Sequence, residues 1–137
     1  MKGLLRPARR RALLAAARAV RGRAHAPYSR FRVGAAVRDE RGRVHAGCNV
    51  ENASFGLTVC AERNAAAAAV AAGARRLLAV AVVSSARPPA APCGACRQVL
   101  AELADDGTPV LLAGPRGPAT ETTVGALLPR AFRLRKR

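Results

Sequence analysis

The sequence predicts an α/β fold, a mixed sheet with helices packed against it in layers. Three observations predict it. Segments of helical apolar spacing alternate with short strand-length runs, in the order α-β-β-α-β-α-β-β and a last short helical turn. One run, Leu77 to Ser84, is almost continuously apolar with Val at three positions, which suits a strand covered on both faces. No internal repeat appears, so the 137 residues are expected to form one domain, 1–137. A chain of that length buries ~65–70% of the surface its unfolded form exposes.

The first helix is expected from Pro7 to Arg21. Pro7 suits the first helical turn, Leu13, Leu14, Ala17 and Val20 form an apolar stripe, and Gly22 ends it. Strands over Arg32–Arg38 and Val44–Val50 flank Asp39-Glu40-Arg41-Gly42, a good hairpin turn. Glu51 to Thr58 reads as an irregular loop. A second helix covers Val59–Ala72, rich in Ala and closed by Gly73. After the strand Leu77–Ser84 and the Pro-rich loop Arg87–Pro92, a third helix covers Gly94–Ala104. Pro109–Ala113 and Ala119–Thr123 read as strands and Val124–Leu128 as a short helix. The basic tail, 133–137, is expected to fray unless a neighbour holds it.

Hydrophobic residues make up 50% of the chain, yet only Tyr28, Phe31, Phe55 and Phe132 are aromatic. A core of Ala, Val and Leu has few large anchors, so subunit association is expected to supply part of the stability. No apolar run is long enough to span a membrane. Met1 to Val20 resembles a signal peptide only superficially, because arginines break its apolar stretch. A cytoplasmic location is the expectation.

The formal net charge of +16 admits two readings. One is a nucleic-acid partner, supported by the cluster Arg133, Arg135, Lys136 and Arg137. The other is coding bias: only Lys2 and Lys136 of the 24 basic residues are lysine, and Arg, Ala, Gly and Pro share GC-rich codons.

Of the four cysteines, Cys60 falls at the start of the second helix, and Cys93 and Cys96 at the start of the third. A C-x-x-C at a helix start aims both sulfurs at one spot, where the helix dipole favours thiolate. Three sulfur ligands suit a tetrahedral Zn²⁺ and leave its fourth position for water, the mark of a catalytic site. Cys48 lies mid-strand and reads as core packing. Glu62, two residues after Cys60, projects about 200° away around the helix, so it is no further ligand on that face. It reads either as a proton carrier beside the open position or as an acid complementing the helix dipole. Arg63 reads either as a donor that offsets thiolate charge or as another surface arginine.

Thr58-Val59-Cys60-Ala61-Glu62-Arg63 followed by Pro92-Cys93-Gly94-Ala95-Cys96-Arg97-Gln98 resembles the small tetrameric, zinc-dependent cytidine deaminases. The likeness extends to Tyr28-Ser29-Arg30-Phe31, to Gly47-Cys48-Asn49-Val50-Glu51-Asn52-Ala53-Ser54, and to Leu127-Leu128-Pro129 with Phe132. Departures include Arg32 after Phe31, Ala91 before Pro92, and Arg133-Leu134 where the family often continues Gly-Pro.

The resemblance implies a three-layer cytidine-deaminase-like fold, a homotetramer and one Zn²⁺ per subunit on Cys60, Cys93 and Cys96. It implies hydrolytic deamination of free cytidine and deoxycytidine in pyrimidine salvage, with Glu62 shuttling protons. Asn49 and Glu51 would bond the ribose hydroxyls, and Phe31 and Ala61 would line the base pocket. Phe132 would either cover the base of a neighbouring subunit or pack locally. Two rivals are a deaminase of a nucleoside antibiotic of the blasticidin type and a basic nucleic-acid-binding module with structural zinc. An editing deaminase acting on polynucleotides usually has a His as first ligand, which Cys60 argues against.

Overall fold

A computed structural model describes residues 5–134 and 136. Met1–Leu4, where the basic N-terminal stretch begins, lie outside the described residues, as do Arg135 and Arg137 of the basic tail.

Helix α1 is Pro7–Arg21, with Pro at its first turn, and it buries Leu13, Leu14 and Ala17. Gly22 ends it in a right-handed conformation, φ −63°, so the stop is not a left-handed glycine turn. The chain is drawn away instead by pairing: His25 N–H donates to Asn49 O, and Glu51 N–H donates to His25 O.

Strands β1 (Gly34–Asp39) and β2 (Val44–Cys48) form an antiparallel hairpin. Asp39 closes it. Its carboxylate accepts the N–H groups of Arg41 and Arg43, the Arg43 guanidinium and the His45 ring, while Gly42 supplies the positive φ of the turn. Both strands are shorter than the sequence suggests, for one reason. Asn49 Oδ1 takes the Val33 N–H, and Val50 leaves the ladder to bridge His25 and Val59. That second bridge also delays helix α2, which is Ala61–Ala71 with Cys60 as its N-cap. At the far end Gly73, φ +101°, donates to Val70 O, and Ala74 N–H to Ala69 O, a left-handed stop.

The remaining elements are β3 (Leu77–Val83), α3 (Gly94–Leu103), β4 (Pro109–Ala113), β5 (Thr120–Thr123) and α4 (Val124–Leu127). The sheet order is β2-β1-β3-β4-β5. β3 and β4 are parallel and every other pair is antiparallel, so the sheet is mixed.

Alternation along the strands sends neighbouring side chains to opposite faces. Ala35, Val37, Val80, Val82, Val110 and Leu112 meet α2 and α3 on one face. Ala36, Ala79, Ala81, Val83, Leu111 and Ala113 meet α1 on the other. The result is three layers with an Ala-rich interior. Small residues let the layers approach closely. A Cβ on Gly47 of β2 would stand 2.8 Å from the Asn64 carbonyl carbon and 2.9 Å from Ala61 O, so β2 lies directly against the first turns of α2. Where fraying is expected, Arg133 bonds Ala104 O and Asp106, and Lys136 bonds Glu102 O.

Candidate functional site

The start of α2 and the start of α3 meet at one end of the layer that covers β1 and β3. Cys60 is the N-cap of α2 and Cys93 the N-cap of α3, and neither spends its side chain on capping its helix. Cys96 sits one turn into α3 and is fully buried. Cys60 and Cys93 sulfurs stand 3.8 Å apart, and those of Cys93 and Cys96 3.5 Å apart. All three lie within 4.8 Å of one another. Tetrahedral bonds of ~2.3 Å to one zinc ion would separate sulfurs by about 3.8 Å, so the trio fits such an ion. Among the described residues no fourth His, Cys, Asp or Glu joins this cluster. Cys48 ends β2, half-buried and outside the cluster. His45 is bonded to Asp39, and His25 pairs with the backbone at Val50.

The protein holds charge here before any metal does. The neighbouring Cys96 thiol, helped by Arg63 and Cys93 against the effect of burial, pulls the Cys60 thiol down to about 5. Cys96 is pushed up by Cys60, by burial and by the charge of Glu62. Two helix N-termini aimed at the same spot favour negative charge there as well. Arg63 Nη2 lies 3.8 Å from Cys60 Sγ and also donates to Thr58 O, while its Nε is buried without a partner.

Beside the sulfurs opens a cavity of about 200 Å³. Phe31, Asn49, Cys60, Ala61, Glu62 and Cys93 all line it, joined by Val33, Thr58, Val82, Ala90 and Ala91. Glu62 is 5% exposed. Burial pushes its carboxyl above the ordinary range, and the Cys60 charge adds to that. A carboxyl so placed can exchange protons with whatever occupies the cavity.

Asn49 and Glu51 are already engaged. Asn49 Oδ1 accepts the Val33 N–H at 2.8 Å, and its Nδ2 donates to Phe31 O at 2.8 Å. Glu51 accepts the N–H groups of Tyr28 and Ser29 and the Ser29 hydroxyl, and this holds its carboxyl below the ordinary range. Glu51 lines a second, larger cavity of about 470 Å³ with Tyr28, Ser29, Asn52, Phe55 and Thr58. Thr58 lines both cavities, so they adjoin. Phe132 lines neither and is 69% exposed.

Two features escaped sequence reasoning. Thr58 stands at the junction of the cavities, receiving the Asn52 N–H on its hydroxyl. Arg97 and Gln98 reach out of α3 to backbone carbonyls of the C-terminal segment. Position beside the C-x-x-C was the only signal for the latter pair.

Comparison with known proteins agrees with this geometry. Residues 7–112 match the family described as the cytidine and deoxycytidylate deaminase zinc-binding region. The cytidine deaminase of Sporosarcina psychrophila is 48% identical over 120 residues, 88% of each chain. That of Halalkalibacterium halodurans is 50% identical over 109 residues, 80% of this chain and 83% of its own. Among solved structures, the Burkholderia pseudomallei cytidine deaminase superposes with a TM-score of 0.85 at 52% identity, covering 89% of this chain and 98% of that one.

Proposed function

The chain belongs to the cytidine and deoxycytidylate deaminase family, and on that premise we propose that it hydrolyses the exocyclic C–N bond of free cytidine and deoxycytidine, releasing ammonia and leaving uridine or deoxyuridine. The observation that carries this reading is the convergence of Cys60, Cys93 and Cys96 beside a cavity that the first two line and that also holds a buried acid, Glu62.

The residues fit one zinc ion per subunit, held by those three sulfurs. Such an ion supplies Lewis acidity and brings the pKa of water toward ~7. Glu62 takes the proton of the attacking water and hands it to N3 of the pyrimidine. After attack at C4, Glu62 takes the proton of the new C4 hydroxyl and delivers it to the amino group, so that the C4–N bond breaks, ammonia leaves and the C4 carbonyl forms. Its raised affinity for protons suits both steps. Arg63 offsets the net negative charge that three thiolates would leave on a divalent ion.

Phe31 and Ala61 bound the base from the cavity wall. Asn49 fixes the segment that presents Phe31, and its remaining N–H and lone pair address a ribose hydroxyl. Glu51 does the same from the adjoining cavity, into which the sugar would extend. Such groups disfavour ligands lacking the hydroxyls, because their polar atoms would stay unpaired.

Residues 1–137 form one deaminase domain in this reading. The enzyme works as a homotetramer in the cytoplasm, in pyrimidine salvage. Tyr28, Phe31, Phe55 and Phe132, all the aromatics of the chain, are exposed in the single subunit. Tyr28, Phe31 and Phe55 line the two cavities, and exposed aromatics suit burial against other subunits, with Phe132 covering a neighbour's pocket. Free thiols held for a metal suit a reducing compartment, and no helix among the described residues is long and apolar enough to cross a membrane.

The test is an ultraviolet assay of cytidine and deoxycytidine conversion, with and without a chelator. Turnover should vanish with chelator and return with zinc. Conversion that ignores the chelator, or a chain inert toward both nucleosides, would overturn the reading.

A further inference from the structure

Beyond α4 the C-terminal segment has little backbone pairing of its own. A single turn spans Pro129–Arg130, and residues 131–134 form no helix or strand. Within that turn Arg130 adopts a left-handed conformation, φ +54°. A non-glycine residue stays in that region only where its surroundings over-determine it. Two adjacent residues of α3 provide part of that constraint. Arg97 Nη1 donates to Leu127 O at 2.8 Å, a carbonyl at the end of α4 that lacks a helical partner. Gln98 Nε2 donates to Phe132 O at 2.9 Å. Thus one carbonyl is tied on each side of Arg130.

The same arginine is rooted in the metal-bearing turn. Its Nε donates to Pro92 O at 2.7 Å, and its backbone N–H donates to Cys93 O at 3.0 Å. Pro92 immediately precedes one sulfur, and Arg97 immediately follows another. Any shift of Cys93 or Cys96 as they close on an ion therefore moves the anchor of Arg97.

We propose that Arg97 and Gln98 are positioning residues that strap Leu127–Phe132 to the metal-bearing turn, so that filling the sulfur site fixes the stance of Phe132. The inference rests on reading Cys60, Cys93 and Cys96 as a metal site. It adds that metal loading in one subunit governs how firmly its exposed Phe132 is offered to whatever it covers. By linkage, the strap also strengthens metal retention.

Limited trypsin digestion of the full chain, with and without one equivalent of Zn²⁺, tests this. The reading is cleavage after Arg130, an exposed bond inside the strapped segment, followed by mass spectrometry. In the parent protein zinc should slow that cleavage about three- to tenfold, the scale of one net hydrogen bond. In Gln98→Leu the zinc effect should disappear while one zinc still binds. Gln98→Lys, which keeps a donor of sufficient reach, should restore it. A second measurement is zinc transfer to a colorimetric chelator, which Arg97→Lys should accelerate. Parent cleavage after Arg130 that is indifferent to bound zinc would overturn the proposal. So would a Gln98→Leu variant that loses protection equally at every tryptic site, which is general destabilisation. A parent chain that binds no zinc at all would instead overturn the metal-site reading beneath it.

Discussion

The sulfurs of Cys60 and Cys93 stand 3.8 Å apart across 33 residues of chain. Each begins a different helix, and the α2–β3 unit lies between them. Ligand removal at either helix should therefore abolish metal binding. Cys93→Ala, with its sulfur partly exposed and no capping bond lost, should fold yet bind no zinc stoichiometrically. Zinc at 100 times its dissociation constant should stabilise the parent by about 2.7 kcal/mol and leave Cys93→Ala unmoved in thermal melts. Equal melting shifts in the two would count against the trio.

Glu62→Gln preserves shape in a position that is 5% exposed. Zinc content should stay at one per chain while kcat falls by at least ~10²–10⁴-fold. Metal analysis and steady-state kinetics on the same preparation separate the outcomes. Near-parental turnover would remove Glu62 from the mechanism.

Asn49 has an observed structural task and a proposed one toward the sugar, and Asn49→Ala should separate them. Loss of its bonds to Phe31 O and the Val33 N–H leaves backbone groups unpaired, worth about 1–3 kcal/mol in urea unfolding. Its role toward the sugar should appear as a higher KM for cytidine and weaker rejection of the free base. If stability drops but selectivity is unchanged, Asn49 acts only on Phe31.

Asp39 sets an acid limit on stability. Burial alone would push its carboxyl up. The His45 ring, the N–H groups of Arg43 and Arg41 and the Arg43 guanidinium outweigh this and hold it well below the usual carboxylate range. A folded value below the unfolded ~3.9 means full stabilisation above about pH 5, lost as pH falls through ~4 toward the folded value. The stability gap between parent and Asp39→Asn should therefore be wide at pH 7 and measurably smaller at pH 3, shrinking further as the acid limit of the assay is approached. A gap of constant size would refute the assignment.

Gly47→Ala probes how α2 is seated. The added methyl would press on the Ala61 and Asn64 backbone, one turn from Cys60. Destabilisation of about 3 kcal/mol is expected, with faster zinc loss, measured by unfolding and by chelator transfer.

The layers and most element bounds were legible because local chemistry decided them. Pro7 opened α1, Gly73 closed α2, and the unbroken run of β3 required cover on both faces. The meeting of Cys93 with Cys96 was legible because N-terminal helix positions constrain sulfurs locally, and Cys60 joins them in the fold. Long-range pairing was not legible. Val50 bridges Val59, so β2 ends early and α2 starts late. Asn49 and Glu51 are sugar contacts only by resemblance, and nothing in their own pattern shows that each is bonded to backbone 16 to 23 residues away. No periodicity encodes such partners, nor the reach of Arg97 to Leu127.

The separation of Cys60 from the C-x-x-C has a consequence for biosynthesis. In a nascent or misassembled chain whose β3 has not entered the sheet, only Cys93 and Cys96 are held near one another by sequence. The third arrives when the tertiary topology is complete. On the proposed metal reading, tight retention of an ion would therefore be a property of the finished fold and not of its parts.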